Sequence, residues 1–497
     1  MLNPLALVFL LVAVLVPVID GGAVPLNSKR QYPADPTGVK TIHTPSNVTL
    51  RYKEPGKDGV CETTPGVNSY SGYIDVAPDM HVFFWFFESR NDPATDPVTL
   101  WLNGGPGSDS LMGLFQGFSY SEAVLGSVNN VTKQFQNSTE AEVDGRYAMT
   151  DASELDTTDL AAVAAWHTLQ GFYSALPQLD SEVKSRSFNL WTESYGGHYG
   201  PAFFRYFHEQ NELISKGEVE GTELDFNTLG IINGIIDEKI QAASYPEFSM
   251  HNTYGVELVN KTVYDYMKTS ESDFTLCSQA GNMCRDNVEA VMYAFSERSP
   301  YNIRAPSTTR IPPNYYAEYL ALDHVLNSIG VNLNYTYCTS DEIYYAFQRT
   351  GDWIFPNFIE DLEELLELPV RISLIYGDAD YICNWFGGEA ISLAANYTGA
   401  ESFAKAGYVP MTVDGVEYGS TREYGNFSFT RIYESGHEVP YYQPIASLAL
   451  FNRSLNGWDM ASGEVRVTKD YGTVGEPTST HTEPFPELPE GGEEGIP

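Results

Sequence analysis

Short apolar runs and amphipathic stretches take turns along most of the chain. Residues 69–76 (Ser-Tyr-Ser-Gly-Tyr-Ile-Asp-Val) alternate as a half-buried strand does, while 81–87 and 97–102 are near-continuous apolar runs of the buried-strand kind. Thr157 to Ala175 has the Ala/Leu spacing of a helix, with Thr157 or Thr158 placed to cap it. Further strands are predicted at 188–191, 229–234 and 370–376. Between 241 and 351 Met, Tyr and Asn rise and no continuous apolar strand occurs, which predicts a mostly helical insertion. Strands separated by helical segments imply an α/β domain whose mainly parallel sheet is covered on both faces. The expected layout is a leader at 1–22, a first core part at 23–240, the insertion at 241–351 and a second core part at 352–462. Residues 463–497 lose hydrophobicity and gain Pro, Gly and Glu, and read as a flexible acidic tail.

Composition narrows the partners. Of 497 residues 42% are apolar and 13% aromatic, enough to bury a large core, and only 19% are charged. Asp and Glu number 66 against 28 Lys and Arg, a net charge of -38. That balance argues against nucleic acid or an anionic membrane, because phosphate binding needs clustered cations. It suits an acidic medium, where carboxylates are partly protonated. One apolar run, Leu5 to Val18, followed by Gly21, Gly22 and Ala23, has the layout of a secretory signal peptide. No later stretch approaches ~18 apolar residues, so no membrane contact is expected after its cleavage, and residues 490–497 lack the apolar tail of a GPI signal. Sequons at Asn47, Asn130, Asn137, Asn260, Asn334, Asn396, Asn426 and Asn452 predict N-linked glycans and a secreted protein, with the vacuole as the alternative destination. Five cysteines (Cys61, Cys277, Cys284, Cys338 and Cys383) leave at least one unpaired within the chain.

Separate clusters carry candidate chemistry. Thr192-Glu193-Ser194-Tyr195-Gly196-Gly197-His198 follows the strand ending at Trp191. A serine between a strand and a helix, with small residues around it, is a nucleophile-elbow arrangement, although Thr192 replaces the first glycine of G-x-S-x-G. Gly377-Asp378-Ala379-Asp380-Tyr381-Ile382-Cys383-Asn384 follows the strand ending at Tyr376, and Glu434-Ser435-Gly436-His437-Glu438-Val439-Pro440 comes later. Serine, acid, histidine is the α/β-hydrolase order, with Asp380 and Asp378 as rival acids. Trp101-Leu102-Asn103-Gly104-Gly105-Pro106-Gly107 also follows a strand, and its glycines let backbone N–H groups turn toward a developing oxyanion. The histidines lack ligand spacing such as H-E-x-x-H, so neither a metal nor an organic cofactor is expected.

Together, W-L-N-G-G-P-G, T-E-S-Y-G-G, G-D-A-D-Y-I-C-N and G-H-E-V-P resemble the serine carboxypeptidases, specifically the secreted fungal carboxypeptidase S1-like branch, from about Cys61 to Asn456. The resemblance implies an α/β-hydrolase fold with a mainly parallel central sheet and a helical insertion as cap. It also implies release of C-terminal residues from peptides or proteins at acidic pH through an acyl-enzyme. Ser194 matches the nucleophile, His437 the base and Asp380, the second acid of G-D-x-D, the group that orients the imidazole. Gly105 and Tyr195 match the oxyanion-hole donors. Asn103, Gly104 and Glu193 match the grip on the substrate's terminal carboxylate, while Cys383 and Glu438 match positions around the leaving residue, with Cys383 an unpaired thiol. The chemistry agrees: serine needs a neighbouring base, and two close carboxylates cannot both stay ionised cheaply. A protonated Glu193 would thus tie C-terminal specificity to acidic activity.

One departure stands out. Relatives carry a further strand and a carboxylate-binding Glu, expected near Gly117, where this chain runs from Leu114-Phe115-Gln116 straight into Gly117-Phe118-Ser119-Tyr120. A missing central strand would leave unpaired backbone groups on its two neighbours, each costing about 1–3 kcal/mol. Several readings stay open here: an enzyme with a re-paired sheet, a catalytically impaired paralogue kept as a secreted glycoprotein, a sequence with a lost exon, or an esterase or acyltransferase on the same fold.

Overall fold

The computed structural model describes residues 34–77, 80–118, 156–272, 283–308, 312–313, 315–333, 335, 341–354 and 358–488. The leader at 1–22, Cys277, Cys338 and the sequons at Asn130, Asn137 and Asn334 lie outside the described residues, as does the side chain of Cys284.

Eleven strands form two sheets among the described residues. β1 (Lys40–His43), β2 (Thr49–Lys53), β3 (Ser69–Ala77) and β4 (Met80–Phe87) make an antiparallel meander. The larger sheet is built from β5 (Val98–Leu102), β6 (Ser187–Glu193), β7 (Asp225–Ile232), β8 (Arg371–Gly377), β9 (Val409–Val413), β10 (Val416–Tyr424) and β11 (Phe427–Ile432). Its order is β5-β6-β7-β8-β11-β10-β9. Neighbours from β5 to β11 run parallel, and β10 and β9 close one edge antiparallel. This is the mainly parallel sheet of an α/β hydrolase. Its centre is the apolar runs: β8 is buried throughout, and Phe188, Leu190, Leu229, Ile231, Ile372 and Leu374 are fully buried. The helices Thr158–Leu179 and Gly196–Ser215 pack on one another and on this core through residues such as Trp166, Phe204 and Phe207.

Residues 119–155, which follow the departure at Gln116, lie outside the described residues. Among the described residues β4 pairs only with β3, and β5 only with β6. All five residues of β5 are half-buried, whereas six of the seven in β6 are buried. β5, whose C-terminal end leads into a loop of the site, is thus less buried than β6.

Between β7 and β8 the chain forms helices at Ser244–His251, Lys261–Ser272, Tyr315–Leu320, Asp323–Ile329 and Asp341–Thr350, together with shorter ones. The segment after 463 differs from a loose tail as far as residue 488. Arg422 donates to Pro477 O at 2.7 Å, Arg431 to His481 O at 2.8 Å, and Arg298 to Pro486 O at 2.8 Å. The anchors belong to the body rather than to the segment, so the segment's own low hydrophobicity gives no sign of them.

Candidate active site

Ser194 sits between β6 and the helix Gly196–Ser215 with φ 64°, a left-handed conformation in which a non-glycine residue is uncommon. Its N–H donates to Ile232 O at 3.0 Å, and its carbonyl accepts from Gly197 N at 2.9 Å and Ile235 N at 2.9 Å. The turn is thus tied to the end of β7 and to the first turn of the helix. Glycine is required where the elbow is tightest. A Cβ on Gly197 would lie 2.3 Å from Ile235 O. Ser194 is half-buried, while Glu193, Tyr195 and the first turn of the helix are buried around it.

The end of β8 delivers the acid. Asp380 Oδ2 accepts from His437 Nδ1 at 2.7 Å, with Asp380 fully buried and His437 only 4% exposed. Asp378, the rival acid, is bound elsewhere: its Oδ1 accepts from Tyr254 Oη at 2.7 Å, and the Arg431 guanidinium lies 3.8 Å from Oδ2. The histidine loop lies hard against the strand end, since a Cβ on Gly377 would meet Gly436 O at 2.3 Å. His437 N–H donates to Tyr301 O at 2.8 Å, and the Tyr301 ring stands edge-on to the imidazole at 5.3 Å. Burial alone would push the His437 imidazole down, but the Asp380 carboxylate holds it well above its ordinary value.

The loop after β5 lies on the elbow. A Cβ on Gly104 would fall 2.3 Å from Tyr195 N and 2.9 Å from Ser194 Cβ. Gly105 has φ 114°, a value that glycine adopts readily and that turns the loop over Ser194. Neither Gly105 N–H nor Tyr195 N–H donates a backbone hydrogen bond among the described residues. Asn103 is fixed on three sides: its Oδ1 accepts from Trp101 Nε1 at 2.7 Å and Gly113 N at 2.9 Å, and its Nδ2 donates to Glu193 Oε1 at 2.9 Å. Burial pushes the Glu193 carboxyl up to about 8; nearby Glu438 and Asp380 add to the rise, while the His437 charge and the Asn103 hydrogen bond oppose it. Glu193 is therefore a neutral, hydrogen-bonding acid next to Ser194 up to mildly alkaline pH.

Cys383 is unpaired and buried, and burial pushes its thiol up to about 12. The donor atoms of Asp380, Cys383 and His437 lie within 4.8 Å of one another, the one such His/Cys/acid group among the described residues. Asp380 and His437 hold one another there through the 2.7 Å hydrogen bond. Cys61, the other described cysteine, is also unpaired.

Asn103, Gly104, Glu193, Ser194 and Tyr195 thus lie together at the elbow, with Gly105 next along the loop; Asp380, Cys383 and His437 lie together past β8, and the Glu193 carboxyl feels the charges of His437, Glu438 and Asp380. Two residues there carry no sequence signal. Asn233, just past β7, donates from Nδ2 to Asp380 Oδ2 at 2.5 Å. Asp352, beyond the insertion, accepts from Tyr195 Oη at 2.6 Å and from Thr158 Oγ1 at 2.6 Å. A lone Asn at a strand end and a lone Asp in a turn are ordinary structural residues, and only three-dimensional contact distinguishes them.

The chain is similar to known proteins. The sequence profile described as serine carboxypeptidase matches residues 55–457. Carboxypeptidase S1 homolog A of Arthroderma otae is 35% identical, aligned over 91% of this chain and 84% of the relative. That alignment spans 553 positions, more than the 497 residues here, so the relative carries segments this chain lacks. Carboxypeptidase S1 of Penicillium janthinellum is 37% identical over 80% of this chain and 97% of the relative. Among solved structures, Kex1(delta)p, a prohormone-processing carboxypeptidase from Saccharomyces cerevisiae, superposes with a TM-score of 0.61. It does so at 19% identity, covering 82% of this chain and 95% of that one, a likeness in fold. A serine elbow, a buried acid–imidazole pair and a profile match over most of the length converge: the chain belongs to the serine carboxypeptidase family.

Proposed function

We propose that Ser194, His437 and Asp380 form the catalytic triad of a secreted carboxypeptidase that releases C-terminal residues from peptides through an acyl-enzyme. The observation that carries the reading is the 2.7 Å contact between His437 Nδ1 and Asp380 Oδ2, in a chain whose elbow holds Ser194 at φ 64°. Asp380 fixes the tautomer in which Nε2 of His437 is the unprotonated nitrogen, the one that takes the Ser194 proton. The Ser194 oxygen attacks the terminal peptide carbonyl, whose oxyanion is received by the N–H groups of Gly105 and Tyr195. His437 then returns the proton to the departing amine, and water resolves the acyl-enzyme by the same steps in reverse.

Asn103, Gly104 and protonated Glu193 hold the substrate's carboxylate, and Cys383 and Glu438 flank the leaving residue. Because Glu193 keeps its proton until about pH 8, recognition of a free C-terminus is favoured from acidic pH up to that value. The pull of Asp380 on His437 works the other way, since an imidazolium cannot act as base. Peptide turnover therefore has an acidic limb set by His437 and a basic limb set by Glu193. The 241–351 helices serve as a cap: a Cβ on Gly107 of the oxyanion loop would touch Ile343 of the helix Asp341–Thr350 at 2.8 Å. The leader at 1–22 and the sequons support secretion and N-glycosylation, and among the described residues no helix is long and apolar enough to cross a membrane.

A fluorophosphonate probe tests the triad. The intact chain should label at Ser194, with labelling lost in Ser194→Ala and in His437→Ala. A folded chain that does not label would favour the impaired paralogue. A chain that labels and cleaves esters, but never a peptide with a free C-terminus, would favour the esterase reading.

A further inference from the structure

We propose that Asn233 is a positioning residue for the Asp380–His437 pair, holding the carboxylate at the angle the imidazole needs. The inference rests on the triad reading above. Asn233 is fully buried and lies one residue past the end of β7. Its side chain bridges two things. Nδ2 donates to Asp380 Oδ2 at 2.5 Å, the same oxygen that accepts from His437 Nδ1, and Oδ1 accepts from Gly377 N at 3.0 Å. Its own N–H donates to Ile375 O at 2.8 Å. Asn233 is therefore held to β8 at two points, through its backbone N–H and its Oδ1, and its Nδ2 reaches the carboxylate three residues past the end of that strand.

The other oxygen of the carboxylate makes the clamp matter. Asp380 Oδ1 is buried without a hydrogen-bond partner among the described residues, so rotation of the carboxylate is opposed only at Oδ2, by His437 and Asn233. Remove the amide and the imidazole, which must itself stay mobile enough to exchange protons with Ser194 and the leaving amine, is left as the sole restraint. Residue choice follows from the same geometry. Asn233 has φ 43°, a left-handed backbone that Asn tolerates better than other side chains of its size. A primary amide offers a donor to the acid and an acceptor to Gly377 N at once, at every pH and without a charge of its own.

The expected signature appears in turnover and in its pH dependence. The charged and titratable groups that face His437 are Asp380 and Cys383 from the loop after β8, Tyr301 from the insertion, Glu193 from the elbow and the adjoining Glu438. Asn233 contributes no proton of its own but draws charge from the oxygen that His437 binds. Without it that oxygen holds the imidazolium more tightly, so the acidic limb moves up.

Asn233→Gly tests this, because glycine accepts φ 43° without strain and removes both side-chain hydrogen bonds. With a blocked dipeptide and a blocked ester, kcat should fall about 10–100-fold on both, as for supporting-shell residues elsewhere. KM should stay within about twofold and the acidic limb of kcat should rise. A folded variant with parental kcat and an unmoved limb overturns the proposal. Should Asn233→Gly not accumulate as folded protein, Asn233→Asp decides, since it keeps the shape and the acceptor for Gly377 N. Its oxygen can donate to Asp380 only while protonated, so its activity relative to the parent should recover as pH falls; a ratio independent of pH overturns the proposal. A parent enzyme inactive on both substrates overturns the triad reading and this inference with it, whereas an active parent with parent-like variants removes only the role of Asn233.

Discussion

Glu193 and Ser194 adjoin in sequence and face different tasks, and their surroundings separate them. Ser194 is half-buried at the turn, whereas Glu193 is buried at the strand end and accepts from Asn103 Nδ2. The Glu193 carboxyl, pushed up to about 8 mainly by burial, should give peptide kcat/KM a basic limb near that value. Glu193→Gln stays neutral at every pH, so the limb should vanish on peptides, while blocked esters, which carry no terminal carboxylate, show it in neither protein. A limb that survives the substitution would assign it to another group. Glu193→Ala should lower peptide turnover about 100-fold more than ester turnover, a difference of about 2.7 kcal/mol; equal losses would remove the carboxylate-grip role. Ser194, Asp380 and His437 were legible because each lies in a motif whose order along the chain is informative. The resemblance favours Asp380 over Asp378, whose Oδ1 accepts from Tyr254 Oη instead. Asn233 and Asp352 were illegible, since nothing local distinguishes them.

At the scale of elements, the strands that carry the site were readable as apolar runs, and the observed bounds of β5, β6 and β8 fall within a few residues of the expected ones. β9, β10 and β11 were not read as strands. β10 is Val-Glu-Tyr-Gly-Ser-Thr-Arg-Glu-Tyr, and its buried Glu423 is matched by the buried Arg371 of β8 at 2.6 Å. A strand that buries paired charges looks like a surface loop in sequence. Close approach governs the loop after β5 in the same way. Gly104→Ala would drive a methyl into Tyr195 N and Glu193 O, so kcat should drop by about 100-fold or more, the order seen when an oxyanion donor is lost. Steady-state kinetics on an ester, where the carboxylate grip is silent, checks this; parental kcat would refute the placement of the loop. The segment after residue 476 gives a stability test. Deleting 477–497 strands donors of Arg298, Arg422 and Arg431, all nearly buried. At about 1–3 kcal/mol for each donor left unmet, the melting temperature should fall by roughly 5–10 °C. No change would mean the segment is ornamental.

Across the whole molecule, acid groups taken into the interior set the response to pH. Burial pushes Glu423 up to about 7 and Asp378 up to about 6, in addition to Glu193. In the unfolded chain such groups ionise near 4. Folding therefore binds protons between pH 4 and 8, and the stability these carboxyls contribute is full below about pH 4 and lost as pH rises through 6 to 8. A net charge of -38 acts in the same direction. Thermal unfolding should accordingly occur about 5 °C or more higher at pH 5 than at pH 8, and a melting point that rises with pH would contradict the protonated interior. Charge composition pointed toward acid from the outset, but only the fold reveals which carboxyls are responsible.

The most direct measurement follows free amino acid released from an N-blocked dipeptide by the intact chain, alongside Ser194→Ala and the same dipeptide with its C-terminus amidated. Release by the parent, none by Ser194→Ala and a steep loss on amidation is the expected result. Undiminished release by Ser194→Ala, or equal cleavage of the amidated peptide, would show that the elbow serine does not act on a free C-terminus.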